Sequence, residues 1–272
     1  MLKAISFKEQ GVVFFRWILL SFLVSPMASA QLSAERDPKI SGQVYFKAAK
    51  ASLPKIISSQ APKMVLHSTL SLQEMGQKLT GVAAYSDSQK LQTVFEEIRD
   101  ERFLSADPKP EFPRRLSWLY PADGCFARAE YMSRKLQEKG LPAPTKVFAF
   151  GSLRVATPNA SLGSVSWWYH VVVGYNVEGQ VKVFDPAIDP VAPMNLEAWL
   201  GRMSENLNSV KVSFCDSKSF DPTSPCQPSE AVDSDSLLTL QRYYLEMEWG
   251  NMVRLGKNPE KVLGDLPPWK LN

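Results

Sequence analysis

Histidine and cysteine are scarce in this chain, with two and three copies in 272 residues. Zinc and similar centres gather three or four Cys, His or carboxylate ligands, usually in close-spaced pairs, and no such pair occurs. No metal and no organic cofactor is therefore expected. Long apolar runs are missing too. The best of them, Trp17 to Val24, is far shorter than the about 20 residues that a spanning helix needs. It follows Lys3, Lys8 and Arg16 and precedes Ala28-Ser29-Ala30, the layout of a secretory signal over residues 1–30. Excess charge of either sign is also absent. The formal net charge is +3, and losing the signal removes three positive charges and Glu9, leaving +1. That balance excludes a nucleic-acid partner and stable membrane association after signal removal.

Export places the chain in an oxidising compartment, where disulfides persist. An odd number of cysteines leaves at least one without an intrachain partner. Cys215 and Cys226 share a loop-like stretch with Asp216, Ser217, Pro222, Ser224, Pro225 and Pro228, where a short staple is expected. Cys125 is then the remaining thiol.

Residues 31–84 are lysine-rich, broken by Pro38, Pro54 and Pro62, and lack strand alternation or repeats. They read as an N-terminal extension or a propeptide. A catalytic core is expected over 85–205, and a C-terminal loop and helix over 206–272. Ser86 and Gln89 fit a capping box. Leu91, Val94, Phe95 and Ile98 then recur at helical spacing, predicting a helix from Ser88 to about Glu101. Three prolines between Asp107 and Pro113 make a loop.

Cys125 opens a second helical pattern, with Phe126, Ala129, Met132 and Leu136 on one face and Arg128, Glu130, Arg134, Lys135, Glu138 and Lys139 on the other. Gly140 and Pro142 end it. Strand signals follow at Lys146–Leu153, Val165–Tyr175 and Gln180–Asp185, the last two joined by the hairpin-like Asn176-Val-Glu-Gly179. One helix followed by adjacent strands predicts an α+β domain, a nucleophile helix packed on an antiparallel sheet. The chain after Trp199 reads as polar and turn-rich to about Asp235, followed by a final helix through Leu237, Leu240, Tyr243, Tyr244, Met247 and Leu255.

A cysteine attacks as thiolate, a form favoured by a helix N-terminus and by a neighbouring imidazolium. Cys125 sits where a helix begins, after a glycine that permits a tight approach, and its own amide is free to hold an oxyanion. His170 lies within a strand signal, and Asp185 ends the next one, before Pro186. Alone, a mid-strand histidine is commonly a hydrogen-bonded core residue, and a strand-end carboxylate is commonly a cap. On neighbouring strands the carboxylate can orient the imidazole, and a helix packed on the sheet can bring the sulfur to the ring.

Tyr120-Pro121-Ala122-Asp123-Gly124-Cys125-Phe126-Ala127-Arg128-Ala129 resembles the nucleophile segment of the bacterial protein-glutaminase family. The resemblance continues through Phe150-Gly151-Ser152-Leu153 and Val165-Ser166-Trp167-Trp168-Tyr169-His170 to Asp185-Pro186 and Trp199, over about residues 86–205. It implies a transglutaminase-like (papain-like) fold, Cys125, His170 and Asp185 as catalytic triad, and conversion of glutamine in protein or peptide substrates to glutamate and ammonia through a cysteinyl thioester. It also implies a secreted or periplasmic bacterial enzyme made as a zymogen. Family members carry more cysteines, some between the nucleophile helix and the histidine strand, whereas Thr157 to Gly163 has none. Tyr120, Trp167 and Trp168 are candidate walls of the substrate groove. An acyl-transferring transglutaminase, a papain-like protease and a secreted binding protein with a degenerate fold are the alternatives.

Overall fold

The computed structural model describes residues 81–104, 114–115, 118–119, 122–160, 162–219, 226, 234–263, 267 and 269–270. The signal over 1–30, nearly all of the 31–84 extension and the proline-rich loop lie outside these residues. No described helix is long and apolar enough to cross a membrane.

Helix α1 (Ser88–Asp100) buries Leu91, Val94, Phe95 and Ile98, the stripe that its spacing predicts. Its cap differs from the expected Ser86–Gln89 box. Asp87 is the N-cap, and its Oδ1 accepts from the Lys90 amide at 2.8 Å. An aspartate one position nearer the first turn does the work of the serine equally well. Helix α2 (Cys125–Glu138) packs its apolar side on the sheet beside α1.

Among the described residues the strands are, in chain order, β1 (Arg102–Leu104), β2 (Arg114–Arg115), β3 (Thr145–Ala156), β4 (Ser164–Val177), β5 (Gln180–Phe184), β6 (Met194–Asn195) and β7 (Lys211–Cys215). The first two make a small ribbon. The others form one antiparallel sheet in the order β6-β5-β4-β3-β7. The β4–β5 hairpin turns through Glu178 and Gly179, with φ of 52° and 84°. Two such residues in succession make the primed turn that matches strand twist.

Helix α3 (Leu196–Met203) covers one face of the sheet, with Trp199, Leu200 and Met203 against Val147, Val172, Val183 and Val212. Helices α1 and α2 cover the other, against Phe148, Val171, Val173 and Phe184. Each of these large apolar side chains contributes about 1.5–3 kcal/mol on burial. Helices α4 (Ser234–Arg254) and α5 (Pro259–Leu263) close the chain.

Three further expectations are corrected. The stretch after Trp199 is not simply loop: β7 pairs with β3 along the sheet edge, and Cys215 on it bonds to Cys226. Five residues with mixed polarity give little local strand signal, and the pairing that makes them a strand is distant in sequence. Arg128 and Glu130 are not on a solvated face but are 3% and 9% exposed. Their charges are met inside, Arg128 by the Asp123 carbonyl at 2.8 Å and Glu130 by Lys146 at 2.8 Å.

The long C-terminal helix ends one residue before Leu255 and is followed by another. Its buried stripe includes Gln241, Tyr244, Leu245, Glu248, Asn251 and Met252, half of it polar and so unreadable from hydropathy. The side chains of Leu237, Leu240 and Tyr243 lie outside the described residues. The segment around residue 84 is bonded to the sheet. Ala84 bridges Asn176, Tyr85 donates to the Asn176 carbonyl, Ala83 donates to Thr145 Oγ1, and Val82 is buried in the α3-side core.

Candidate functional site

Gly124 is the N-cap of α2, with φ of 85°. A residue with a Cβ pays about 1–2 kcal/mol for that conformation. The turn is tied from two sides, since Gly124 donates to Asp123 Oδ1 at 2.8 Å and Arg128 Nη1 donates to the Asp123 carbonyl. Cys125 therefore opens the helix at a defined angle. No side chain caps α2, so its first amides keep their donors for another acceptor. Cys125 is the free cysteine, buried and 8% exposed.

His170 pairs across β3–β4 with Ala149. Strand β5 ends at Phe184, opposite Val173, and the next residue, Asp185, turns its carboxylate towards the ring. His170 Nε2 and Asp185 Oδ2 are 2.7 Å apart, both side chains nearly fully buried. A carboxylate only accepts, so Nε2–H donates. The same Oδ2 accepts from Trp199 Nε1 at 2.8 Å, and Oδ1 accepts from the Ala187 amide at 3.2 Å. Asp185 is held by three donors, leaving it one orientation.

Burial opposes charge on the imidazole, but the Asp185 carboxylate, and after it the Cys125 side chain, more than offset this. The His170 pKa rises from 6.5 to about 9, so the ring is an imidazolium at neutral pH. Burial likewise works against the Asp185 carboxylate. His170, the Trp199 hydrogen bond and the charge of Arg128 outweigh it and hold Asp185 below the ordinary carboxylate range. With Nε2 committed to Asp185, His170 Nδ1 is the nitrogen left for the sulfur.

Cys125, His170 and Asp185, predicted from sequence, thus come together. Trp167 lies beside them, stacked on the His170 ring at 4.8 Å and 10° between planes. Trp168 packs instead on Phe150 and Tyr169, against the core cluster that contains Cys125. Tyr120 lies outside the described residues. Three neighbours were not singled out as site residues: Trp199, Arg128, and Tyr244 of α4, whose ring lies against Gly124. Two of them fall inside the quoted motifs. Tyr244 has no local signal at all. Among the described residues no group of three metal-ligating side chains occurs.

Fold and site together define an α+β protein with a helix-borne thiol facing an imidazole–carboxylate pair on an antiparallel sheet. The glutaminase family model, of the glutamine deamidase type, matches residues 91–203. That segment carries Cys125, His170, Asp185 and Trp199, so the chain is similar to the glutaminase family through it.

Among solved structures it is similar to a protein-glutaminase (22% identity, 70% of this chain and 95% of that one, TM-score 0.44). It is also similar to a pro-protein-glutaminase (20% identity, 80% and 68%, TM-score 0.45). The NMR structure of protein-glutaminase from Chryseobacterium proteolyticum gives 22% identity over 70% and 95%, with a TM-score of 0.43. The chain spans 51% of the A47Q2 mutant pro-protein-glutaminase. No curated protein matches at a significant level. The family likeness rests on the sequence match, not on these structures.

Proposed function

We propose that this protein is a cysteine-dependent amidohydrolase that converts glutamine side chains of proteins or peptides to glutamate and ammonia. The observation that carries the reading is His170, held at 2.7 Å by the buried Asp185 carboxylate, beside a helix-terminal sulfur within a segment that matches the glutaminase family model. The domain is read as transglutaminase-like, because a nucleophile helix on an antiparallel sheet and the order Cys, His, Asp are common to that group.

The Cys125 sulfur attacks the carboxamide carbon as thiolate, its proton held on the His170 ring, and the uncapped amides at the start of α2 receive the oxyanion. The His170 imidazolium gives its Nδ1 proton to the departing nitrogen as the C–N bond breaks, and ammonia leaves a thioester. The neutral ring then takes a proton from water, whose oxygen attacks the thioester. Glutamate departs and the sulfur is restored. Asp185 stays ionised throughout and steadies the imidazolium. No step asks for a cofactor. Trp167 and Trp168 are the described candidates for contact with substrate.

Residues 1–30 direct export to the periplasm or the medium, and the extension that follows is a propeptide that ends before Val82. The bonds of residues 82–85 to the sheet support that limit. A protein deamidase silent during export spares its host, and limited proteolysis ahead of Val82 is expected to raise activity. Equal activity before and after cleavage ends the zymogen reading.

The direct test is incubation with casein. Ammonia without crosslinks or new chain termini, absent for Cys125→Ala, is the expected result. Crosslinked casein means acyl transfer, and fragments mean proteolysis. Neither ammonia nor any change in casein favours a binding protein.

A further inference from the structure

The family match ends at residue 203, yet the nucleophile turn leans on a helix that begins 31 residues later, at Ser234. Tyr244 on α4 is 2% exposed, and its ring lies against Gly124. A Cβ built at Gly124 would sit 2.6 Å from Tyr244 Cε2 and 2.8 Å from Cδ2 and Cζ. One turn further on, Glu248 is fully buried and its Oε1 accepts from the Leu119 amide at 3.1 Å. The two ends of the segment that leads into α2 are therefore gripped by residues four apart on one helix face.

Glycine at position 124 is needed for the positive φ, but glycine is also the residue with the widest choice of other conformations. Something outside the turn has to select one of them. We propose that Tyr244 is a positioning residue for the reaction. Its ring, seated on Gly124, fixes the backbone so that the Cys125 sulfur and amide engage the carboxamide together. Burial, with Asp123, Cys125 and Tyr169, keeps the Tyr244 hydroxyl neutral, its pKa well above the usual value despite the opposing charge of Arg128. The ring acts by shape. This inference rests on the amidohydrolase reading for its effect on rate, but its effect on the backbone is independent of it.

Misplacement of a reacting group by about 1 Å costs on the order of 100-fold. Tyr244→Leu is therefore expected to lower kcat for a glutamine peptide by roughly 10- to 100-fold, with KM within about threefold. Tyr244→Phe, which keeps the ring, is expected to stay within about threefold of the parent. Hydrogen exchange of the Gly124 and Cys125 amides should quicken at least about tenfold in Tyr244→Leu, with the rest of α2 unchanged. If that variant does not fold, Tyr244→Met replaces it. Gly124→Ala should be partly rescued by Tyr244→Ala, because the clashing ring is gone. Unchanged exchange at Gly124 and Cys125, or additive losses in the double variant, overturns the inference even if the parent releases no ammonia. An inactive parent overturns the amidohydrolase reading alone. An active parent with unchanged kcat in Tyr244→Leu overturns only the role given to the tyrosine.

Discussion

His170 and Asp185 lie 2.7 Å apart at the N-terminal end of the nucleophile helix, and Lys146 and Glu130 lie 2.8 Å apart along its flank. Both cations are buried. Their pKa values move in opposite directions: His170 rises to about 9, whereas burial, with Arg134 adding its charge, brings Lys146 below its usual value despite Glu130 and Asp216. The anions differ in the same sense. Asp185 takes a second strong donor from Trp199, while Glu130 divides itself between Lys146 and Arg134. A buried ion pair is thus not one thing. The first is arranged to keep a proton on a ring beside a sulfur, and the second joins α2 to β3 with no group left to react.

Five substitutions sharpen this contrast, taken in order of expected effect. His170→Ala removes the acid and is expected to cut ammonia release per folded molecule by about 10⁴-fold or more. It also strands the buried Asp185 carboxylate and so lowers the urea midpoint. Parent-like ammonia release per folded molecule would mean the ring is only structural.

Asp185→Asn leaves His170 its neighbour but not the negative charge. Activity should fall by roughly 10²- to 10⁴-fold. The alkaline limb of the pH–rate profile, expected near pH 9 in the parent, should move towards neutrality. The same sign governs stability. A histidine whose pKa is raised on folding contributes fully below its unfolded value of about 6.5, and that contribution is lost as pH rises through about 9. Asp185 is the reverse case, stabilising above its ordinary value and losing that contribution as pH falls below it. Urea midpoints across pH 6–10 should therefore decline for the parent and decline less for Asp185→Asn.

Glu130→Gln strands the Lys146 charge in the core, at a cost of about 3–5 kcal/mol in urea unfolding. Lys146→Met removes the charge and its desolvation together, and should cost less than half as much. In both, kcat per folded molecule should be close to the parent's. Equal destabilisation by the two would remove the contrast between the pairs. Trp199→Phe deletes one donor to Asp185, worth about 1.5–3 kcal/mol for a bond to a charged group. It should lower the alkaline limb by less than Asp185→Asn does.

The elements that stand out in the sequence are those whose signals are local. Leu91, Val94, Phe95 and Ile98 mark α1, turn chemistry before Cys125 marks the start of α2, and Asn176 to Gly179 marks the β4–β5 hairpin. The meeting of His170 with Asp185 follows from that hairpin, because adjacent strands leave a strand-end carboxylate little choice of partner. What was not legible depends on distant contacts. β7 is a strand only because β3 offers it an edge, Glu130 is buried only because Lys146 faces it from β3, and Tyr244 reaches Gly124 from 120 residues away. Charged and aromatic residues at helical spacing look alike whether they face water or an active-site turn.

The central claim, that the Cys125 sulfur takes the acyl group of glutamine while His170 releases ammonia, is tested most directly by intact-mass measurement after acid quench during turnover of a glutamine peptide. The account predicts a covalent adduct of the peptide less ammonia, mapped to Cys125, enriched when water attack is slowed and absent in Cys125→Ala. Steady ammonia release by Cys125→Ala, with no adduct on the parent at any quench time, would contradict it.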